Sequence, residues 1–271
     1  MPPEPVYREI LPPTELSDVV ACCWIQRGNF APATPPTLAR VLPDGCMDIL
    51  VALGDFPRPL DSEDLAPHRA FVVGTMTRQQ FFVLEGRVDM VAIRFKPGGA
   101  RPFLRAPASD LVDLAAPLEA FWGPAGADLP DRLYETEGDE ARARLLFEEL
   151  IARRAQADPT DAIVQGASEL IDGSFGSVTI DELRRALYVS ERTLERRFRR
   201  EVGVSPKQAA RIARLQAATR KLTEEPAAPL GRVAHECGYY DQAHFNREFR
   251  MLAGVSPGEW RAESLGLEEP D

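Results

Sequence analysis

The sequence predicts an α+β chain of two domains. A β-rich domain, barrel or sandwich, comes first; a helical linker leads to an all-α domain with two helix-turn-helix units. Three observations predict this. Strand-length apolar runs bounded by Gly and Pro fill the first hundred residues. Capped segments of helical periodicity fill the rest. One capped-helix pattern occurs twice, a constant 51 residues apart from Phe198 to Phe249. At 271 residues, 44% hydrophobic and 27% charged, the chain has material for two cores. The expected division is 1–105, 106–158, 159–263 and an acidic tail, 264–271.

Residues 1–105 read mainly as strands. CMDILVAL (46–53) is an apolar run between Pro43-Asp44-Gly45 and Gly54. QFFVL (80–84), the turn Glu85-Gly86-Arg87 and VDMVAIRF (88–95) predict a hairpin, closed by Pro97-Gly98-Gly99. Apolar residues on both faces imply strands covered on both sides. Residues 55–70 form a polar, proline-bearing loop. From Ala106 the pattern turns helical: ASDLVDLAAPLEAFWG carries short capped turns, and DEARARLLFEELIARRAQ (139–156) is an amphipathic helix with Leu145, Leu146, Leu150 and Ile151 apolar. Ala157-Asp158-Pro159-Thr160 marks the boundary.

DAIVQGASELI (161–171) gives Ile163, Leu170 and Ile171 to the first helix of the second domain, which Asp172-Gly173-Ser174 ends. Thr179-Ile180-Asp181-Glu182 is a capping box, a side chain at each end satisfying an orphan N–H of the other. It opens a helix whose core face is Ile180, Leu183, Ala186 and Leu187. Ser190 caps the next helix, with Leu194 and Phe198 inward. Ser205-Pro206-Lys207-Gln208 is a second box, opening a long helix to about Leu222. Leu230, Val233, Ala234 and Cys237 make another short helix, turned by Gly238. Asp241 caps the next, whose Phe245, Phe249 and Leu252 share one face; Gly254 stops it and Ser256-Pro257-Gly258-Glu259 restarts one.

A short helix, a turn and a capped helix with a polar outer face lay side chains into a DNA major groove. The repeat supplies two such units, LERRFRREVGVSP (194–206) and FNREFRMLAGVSP (245–257), matching Arg196 to Arg247 and Arg199 to Arg250. A net charge of −10 argues against DNA until it is divided. The balance is −8 over 1–159, +2 over 160–262 and −4 over 263–271. Arginines cluster at 192, 196, 197, 199 and 200, and local clustering governs because separated surface charges are screened.

With these motifs, residues from about Asp161 to Glu263 resemble the DNA-binding domain of the AraC/XylS family of bacterial transcription regulators; GYYDQAHFNREFR is its most recognisable stretch here. The resemblance implies base reading by Arg192, Glu195 and Arg196 in the first unit and by Gln242, Ala243, His244, Asn246 and Arg247 in the second. The chemistry agrees for several: Arg grips guanine bidentately, Gln or Asn adenine, and Glu accepts from cytosine. Arg199, Arg220 and Arg250 suit phosphate. Plainer readings stand beside these: Glu195 pairs with Arg199 at i,i+4, and His244 is a surface histidine. Leu187 stands where Gly238 does, and Tyr188 where the family often has glycine, which predicts a blunter first turn and a less certain aim for Arg192.

VLPDGCMDILVAL (41–53) and IRFKPGGARPFL (93–104) resemble an uncharacterised sensor-type domain found ahead of such DNA-binding domains, which implies a cupin-like β fold and a small-molecule effector. Asp44, Cys46, Asp48 and Arg94 are the candidate ligand residues. Against this, Pro43-Asp44-Gly45 is explained as a turn, and Asp48 and Arg94, lone charges on apolar strand faces, are explained by pairing with each other. The resemblance also implies double-stranded DNA as partner, a homodimer through the N-terminal half with 106–158 contributing, and RNA polymerase if the protein activates.

Other classes fare worse. A metal or redox sensor, or a DNA-repair regulator, would use Cys22, Cys23 and Cys46, with His68. Adjacent cysteines do not match the spaced pairs of zinc sites. The histidines are His68, His235 and His244, and no G-x-S-x-G elbow occurs, so no triad and no enzyme is expected. No cofactor and no membrane span is expected. MPPEPVYREILPP lacks the basic-then-apolar order of a secretory leader, which predicts a cytoplasmic protein.

Overall fold

The computed structural model describes residues 6–32, 37–60, 68–157 and 159–264. The tail beyond Ser264, part of the 55–70 loop and Asp158 of the expected boundary lie outside them.

The N-terminal strands are β1 (Val6–Ile10), β2 (Val20–Phe30), β3 (Thr37–Val41), β4 (Met47–Ala52), β5 (Arg58–Pro59), β6 (Ala70–Val73), β7 (Gln80–Leu84), β8 (Gly86–Phe95) and β9 (Ala115–Pro117). They form two antiparallel sheets, one ordered β1-β2-β8-β4-β6-β9 and one ordered β3-β7-β5. The sheets do not close into a barrel, so the sandwich reading holds. β8 is covered on both faces as its sequence requires. Val91, Ile93 and Phe95 join one core, and Val88, Met90 and Ala92 join Cys22 and Trp24 in another.

The expected hairpin does not form. β7 pairs with β3 and β5, whereas β8 pairs with β2 and β4. Only Glu85 separates the two strands, and Gly86 follows at φ +75°. The chain turns a corner there and changes sheets. A β-carbon on Gly86 would run into the Asp55 carboxylate, which accepts a hydrogen bond from the Arg87 N–H at 2.8 Å. Those contacts are long-range, and strand pattern alone carries no trace of them.

The segment expected as a linker is built into the same body. α1 (Arg101–Leu104), α2 (Glu119–Trp122), α3 (Pro124–Glu135) and α4 (Asp139–Arg154) cover one face of the larger sheet, while β9 extends its edge. Leu129, Leu133, Leu146 and Leu150 are buried against Ile25, Ile49 and Ile93. Ile151, expected on the apolar face, is exposed.

The C-terminal domain is α5 (Ala162–Gly173), α6 (Ile180–Ala186), α7 (Glu191–Val202), α8 (Pro206–Glu224), α9 (Leu230–Glu236), α10 (Gln242–Ala253) and α11 (Pro257–Ser264). Asp161 caps α5. Its core face is Val164, Ala167, Ser168 and Ile171, with Ile163 half-buried against the same core; Leu170, expected there too, is exposed. Two cores stand behind the two units: Leu183, Leu194 and Phe198 with the first, and Val233, Phe245 and Phe249 with the second. No helix among the described residues is long and apolar enough to cross a membrane.

The N-terminal domain is docked on both units. The buried Thr75 hydroxyl donates to the Val202 carbonyl at 2.6 Å, and the Gln79 N–H donates to the Leu252 carbonyl at 2.9 Å. Helix C-termini leave carbonyls without intrahelical partners. One loop, running from β6 to β7, thus satisfies such carbonyls on α7 and α10 together. Gln216 of α8 donates to the Pro43 carbonyl at 2.7 Å, and Arg40 pairs with Glu263 of α11.

Candidate nucleic-acid interface

α7 and α10 are the same object made twice. Their bounds are 51 residues apart at both ends. Ser190 caps α7 through the Thr193 N–H at 3.2 Å, and Asp241 caps α10 through the His244 N–H at 2.6 Å. Gly203 and Gly254 stop them at φ +96° and +77°. Behind them, the boxes at Thr179/Glu182 and Ser256/Glu259 form in both directions. The box at Ser205 forms only in part: Ser205 caps the Gln208 N–H, but the Gln208 side chain accepts from Arg211 instead.

The buried Leu194 and Phe198, and Phe245 and Phe249, turn the opposite faces outward. Arg192, Arg196, Gln242, Ala243, Asn246 and Arg247 are exposed there, with Glu195 and His244 half-buried. Among the described residues Arg192, Arg196 and Arg247 make no ion pair. Their neighbours do: Arg199 with Glu195 at 3.0 Å, Arg197 with Asp161 at 2.9 Å and Arg250 with Glu259 at 3.2 Å. The plain i,i+4 reading of Glu195 and Arg199 therefore describes the protein in the absence of DNA. His244 is tied in place, its Nδ1 accepting from the Tyr240 N–H at 3.3 Å and its Nε2 3.7 Å from Glu248. Arg220 stands apart from Arg199 and Arg250, its guanidinium 5.5 Å from the centre of the Phe175 ring.

The first turn differs from expectation. Leu187 ends α6 as Cys237 ends α9, and the next residue takes a left-handed conformation in both: Tyr188 at φ +53° and Gly238 at φ +76°. The bond from Val189 N–H to the Arg184 carbonyl (3.0 Å) repeats that from Tyr239 N–H to the Ala234 carbonyl (2.9 Å). The first turn is as sharp as the second, with tyrosine doing what glycine does. It is one residue shorter, so a gapless alignment carried back past Ser190 pairs the wrong residues. Tyr188 is 95% exposed.

α8, 19 residues and about 28 Å long, packs against both units, Ala209 and Ala210 with the first and Leu215, Ala218 and Leu222 with the second. Glu248 fixes α10 to it, pairing with Arg211 at 2.7 Å and Arg214 at 3.2 Å.

In the N-terminal domain Asp48 and Arg94 face each other across β4 and β8. Arg94 donates to Asp48 at 3.2 and 3.3 Å, Trp24 donates to it at 3.3 Å, and Asp44 lies 3.4 Å from Arg94. Burial pushes the Asp48 carboxyl up to about 6 against the pull of Arg94. The Cys46 N–H donates to Asp44 at 2.9 Å, closing the turn that the Pro43-Asp44-Gly45 composition implies. Cys22 and Cys23, adjacent on β2, point into opposite cores. Burial pushes their thiols up to about 11 and about 12, and that of Cys46 well above the ordinary value. Protonated thiols on opposite faces of a sheet cannot converge on one ion. Thr75 and Gln79 had no signal in the sequence, since their partners lie more than 120 residues away.

Residues 183–263 match the family model described as "Helix-turn-helix domain", and residues 8–117 match "Domain of unknown function (DUF6597)". A putative AraC-like transcription regulator of Streptomyces antibioticus is 35% identical over 33% of this chain and 29% of its own length. The HTH-type transcriptional regulator MtrA of Neisseria gonorrhoeae is 34% identical over 35% of this chain and 31% of its own. The matched stretch thus spans about a third of these relatives. Among solved structures, ToxT of Vibrio cholerae aligns over 90% of this chain and 98% of its own at 12% identity, with a TM-score of 0.48.

Proposed function

We propose that this chain, an AraC-type regulator by its C-terminal helix-turn-helix domain, reads two adjacent segments of double-stranded DNA and answers to a small-molecule effector. The observation that carries the reading is the pair Arg196 and Arg247. Both are exposed and, among the described residues, make no ion pair, at one position of two helices capped at the same place. Arg192 and Glu195, and Gln242, Ala243, His244 and Asn246, are proposed as their companions in base reading. Arg199 and Arg250, at the C-terminal turns of α7 and α10, exchange their carboxylate partners for phosphate. Arg220, over Phe175, is a weaker candidate for that role.

The chain is proposed to act in the cytoplasm as a binding protein and not as an enzyme, pairing through its N-terminal half and contacting RNA polymerase if it activates. Asp44, Cys46, Asp48 and Arg94 form one polar cluster in that half, and Asp48 and Arg94 largely neutralise each other. Asp44 is held in turn by Arg94 and the Cys46 N–H, so the cluster supports effector binding only through the turn that Asp44 closes.

Selection of bound sequences from a random DNA pool tests the reading. Two preferred segments roughly 10 base pairs apart are expected, one DNA turn. A single short preferred segment, or none, contradicts it.

A further inference from the structure

A cleft runs between the two domains, with a volume of about 210 Å³. One wall is the Asp44–Gly45 turn and Pro97. The other is α5 with the turn after it, through Ser168, Ile171, Asp172 and Phe175, and α8, through Ala213, Gln216, Ala217 and Arg220. Space exists because α8 presents alanines along this face, at 209, 213 and 217. The volume lies below the roughly 300–1,000 Å³ of pockets for larger ligands, which restricts an occupant to metabolite size.

The polar groups of the cleft are incompletely used. Ser168 is 7% exposed, and its buried hydroxyl has no hydrogen-bond partner. A buried hydroxyl left unpaired is costly. Gln216 spends its amide N–H on the Pro43 carbonyl, leaving its oxygen open. Asp44 is held by Arg94 and the Cys46 N–H. The Asp172 side chain has no hydrogen-bond or ion-pair partner among the described residues, and nearby Lys96 is turned to the Ser17 carbonyl at 2.7 Å. Among the described residues Arg220 makes no ion pair, and its guanidinium lies 5.5 Å from the centre of the Phe175 ring. Among the described residues the cleft therefore offers one carboxylate and one guanidinium without ion-pair partners, and an apolar floor. Asp172 and Arg220 make no pair with each other.

We infer that this cleft is the effector site, and that it takes a small zwitterion whose ammonium faces Asp172, whose carboxylate faces Arg220, and whose apolar spacer lies on the alanines of α8. The inference deepens the regulator reading and rests on it for its meaning. A ligand here touches the sensor domain and the helix packed against both units at once. Such a ligand acts on DNA affinity by its differential contact with docked and undocked domains. Binding itself requires no DNA, so failure of the cleft and failure of the DNA reading are separate results.

The test is calorimetric titration of the full chain with three probes of one length: 6-aminohexanoate, hexylamine and hexanoate. The zwitterion is expected to bind at least tenfold tighter than either singly charged probe. Asp172→Asn and Arg220→Gln are each expected to weaken it tenfold or more, and Ala213→Leu, which fills the cleft, to abolish it. Asp172 and Arg220 are exposed, so unliganded melting temperatures should not move and will report intact folding. Hexylamine binding as tightly as the zwitterion, indifference to Arg220→Gln, or no binding by any probe overturns the proposal.

Discussion

Arg196 and Arg199 sit three residues apart on one exposed helix face and are expected to do different work. Arg196 makes no ion pair among the described residues, so it is free to engage a base edge; Arg199 leaves Glu195 to reach the backbone. Replacing Arg196 or Arg247 by Ala should cost about 1–3 kcal/mol of binding and relax sequence preference only in the segment that arginine reads. Arg199→Ala and Arg250→Ala should weaken all sequences alike, because phosphate contacts position without specifying. Binding-site selection with each variant separates the cases, and a two-headed reader is excluded if Arg196→Ala and Arg247→Ala relax the same base pairs. Tyr188 poses the opposite problem, a bulky residue at φ +53° with its ring in solvent. Holding a non-glycine residue there costs about 1–3 kcal/mol, and the ring recovers little of it within the fold. Tyr188→Gly should therefore raise stability by about 1 kcal/mol after the added freedom of the unfolded glycine is offset. A lower melting temperature would refute that. Reduced DNA affinity in the stabilised variant would show what the ring is for.

At the scale of elements, side-chain caps mark where α5, α6, α7, α8, α10 and α11 begin, and one of them titrates in an accessible range. Glu259 accepts hydrogen bonds from Ser256, which hold its carboxyl at about 2 against an ordinary 4.5. A carboxyl depressed on folding stabilises the fold fully above its unfolded pKa, and that contribution fades as pH falls from about 4.5 through about 2. The start of α11 should loosen across this window. Glu259→Gln should flatten the corresponding part of a melting-temperature profile against pH, while leaving the slope above pH 5 unchanged. An identical acid slope in wild type and variant would remove Glu259 from the account. The same window frees Arg250 from Glu259, since the two are paired at 3.2 Å.

Across the whole molecule, the C-terminal domain has its own cores and the N-terminal domain grips it from outside. The two clusters behind α7 and α10 consist almost wholly of residues after Pro159, with Leu42 and Val112 packed only at their margins. A fragment from Pro159 onward should therefore fold alone. Its Val202 and Leu252 carbonyls, now held by Thr75 and Gln79, would pass to water. Freed of a domain with a charge balance of −8, it should bind DNA with steep salt dependence. With about 6 phosphate contacts, log K should fall against log salt with a slope near −5. A folded fragment with a flat salt response would show that α7 and α10 do not meet phosphate.

The sequence by itself determined the local structure: the strands on both sides of the corner at Glu85, the caps at Thr179, Ser190, Asp241 and Ser256, and the bounds of α7 and α10. These follow from periodicity and from side chains satisfying backbone groups three residues away, information that lies within one turn of chain. The inward face of α5 is misread at Leu170, which is apolar but lies off the stripe that Val164, Ala167 and Ile171 share. Only the tertiary structure decided which sheet received β7, that α3 and α4 complete the N-terminal core, that Tyr188 adopts a glycine conformation, and that one loop caps both reading helices. Each of these rests on partners far apart in the chain, such as Thr75 and Val202. Hydrophobicity specifies that a face must be buried, but it is nondirectional and does not name what buries it.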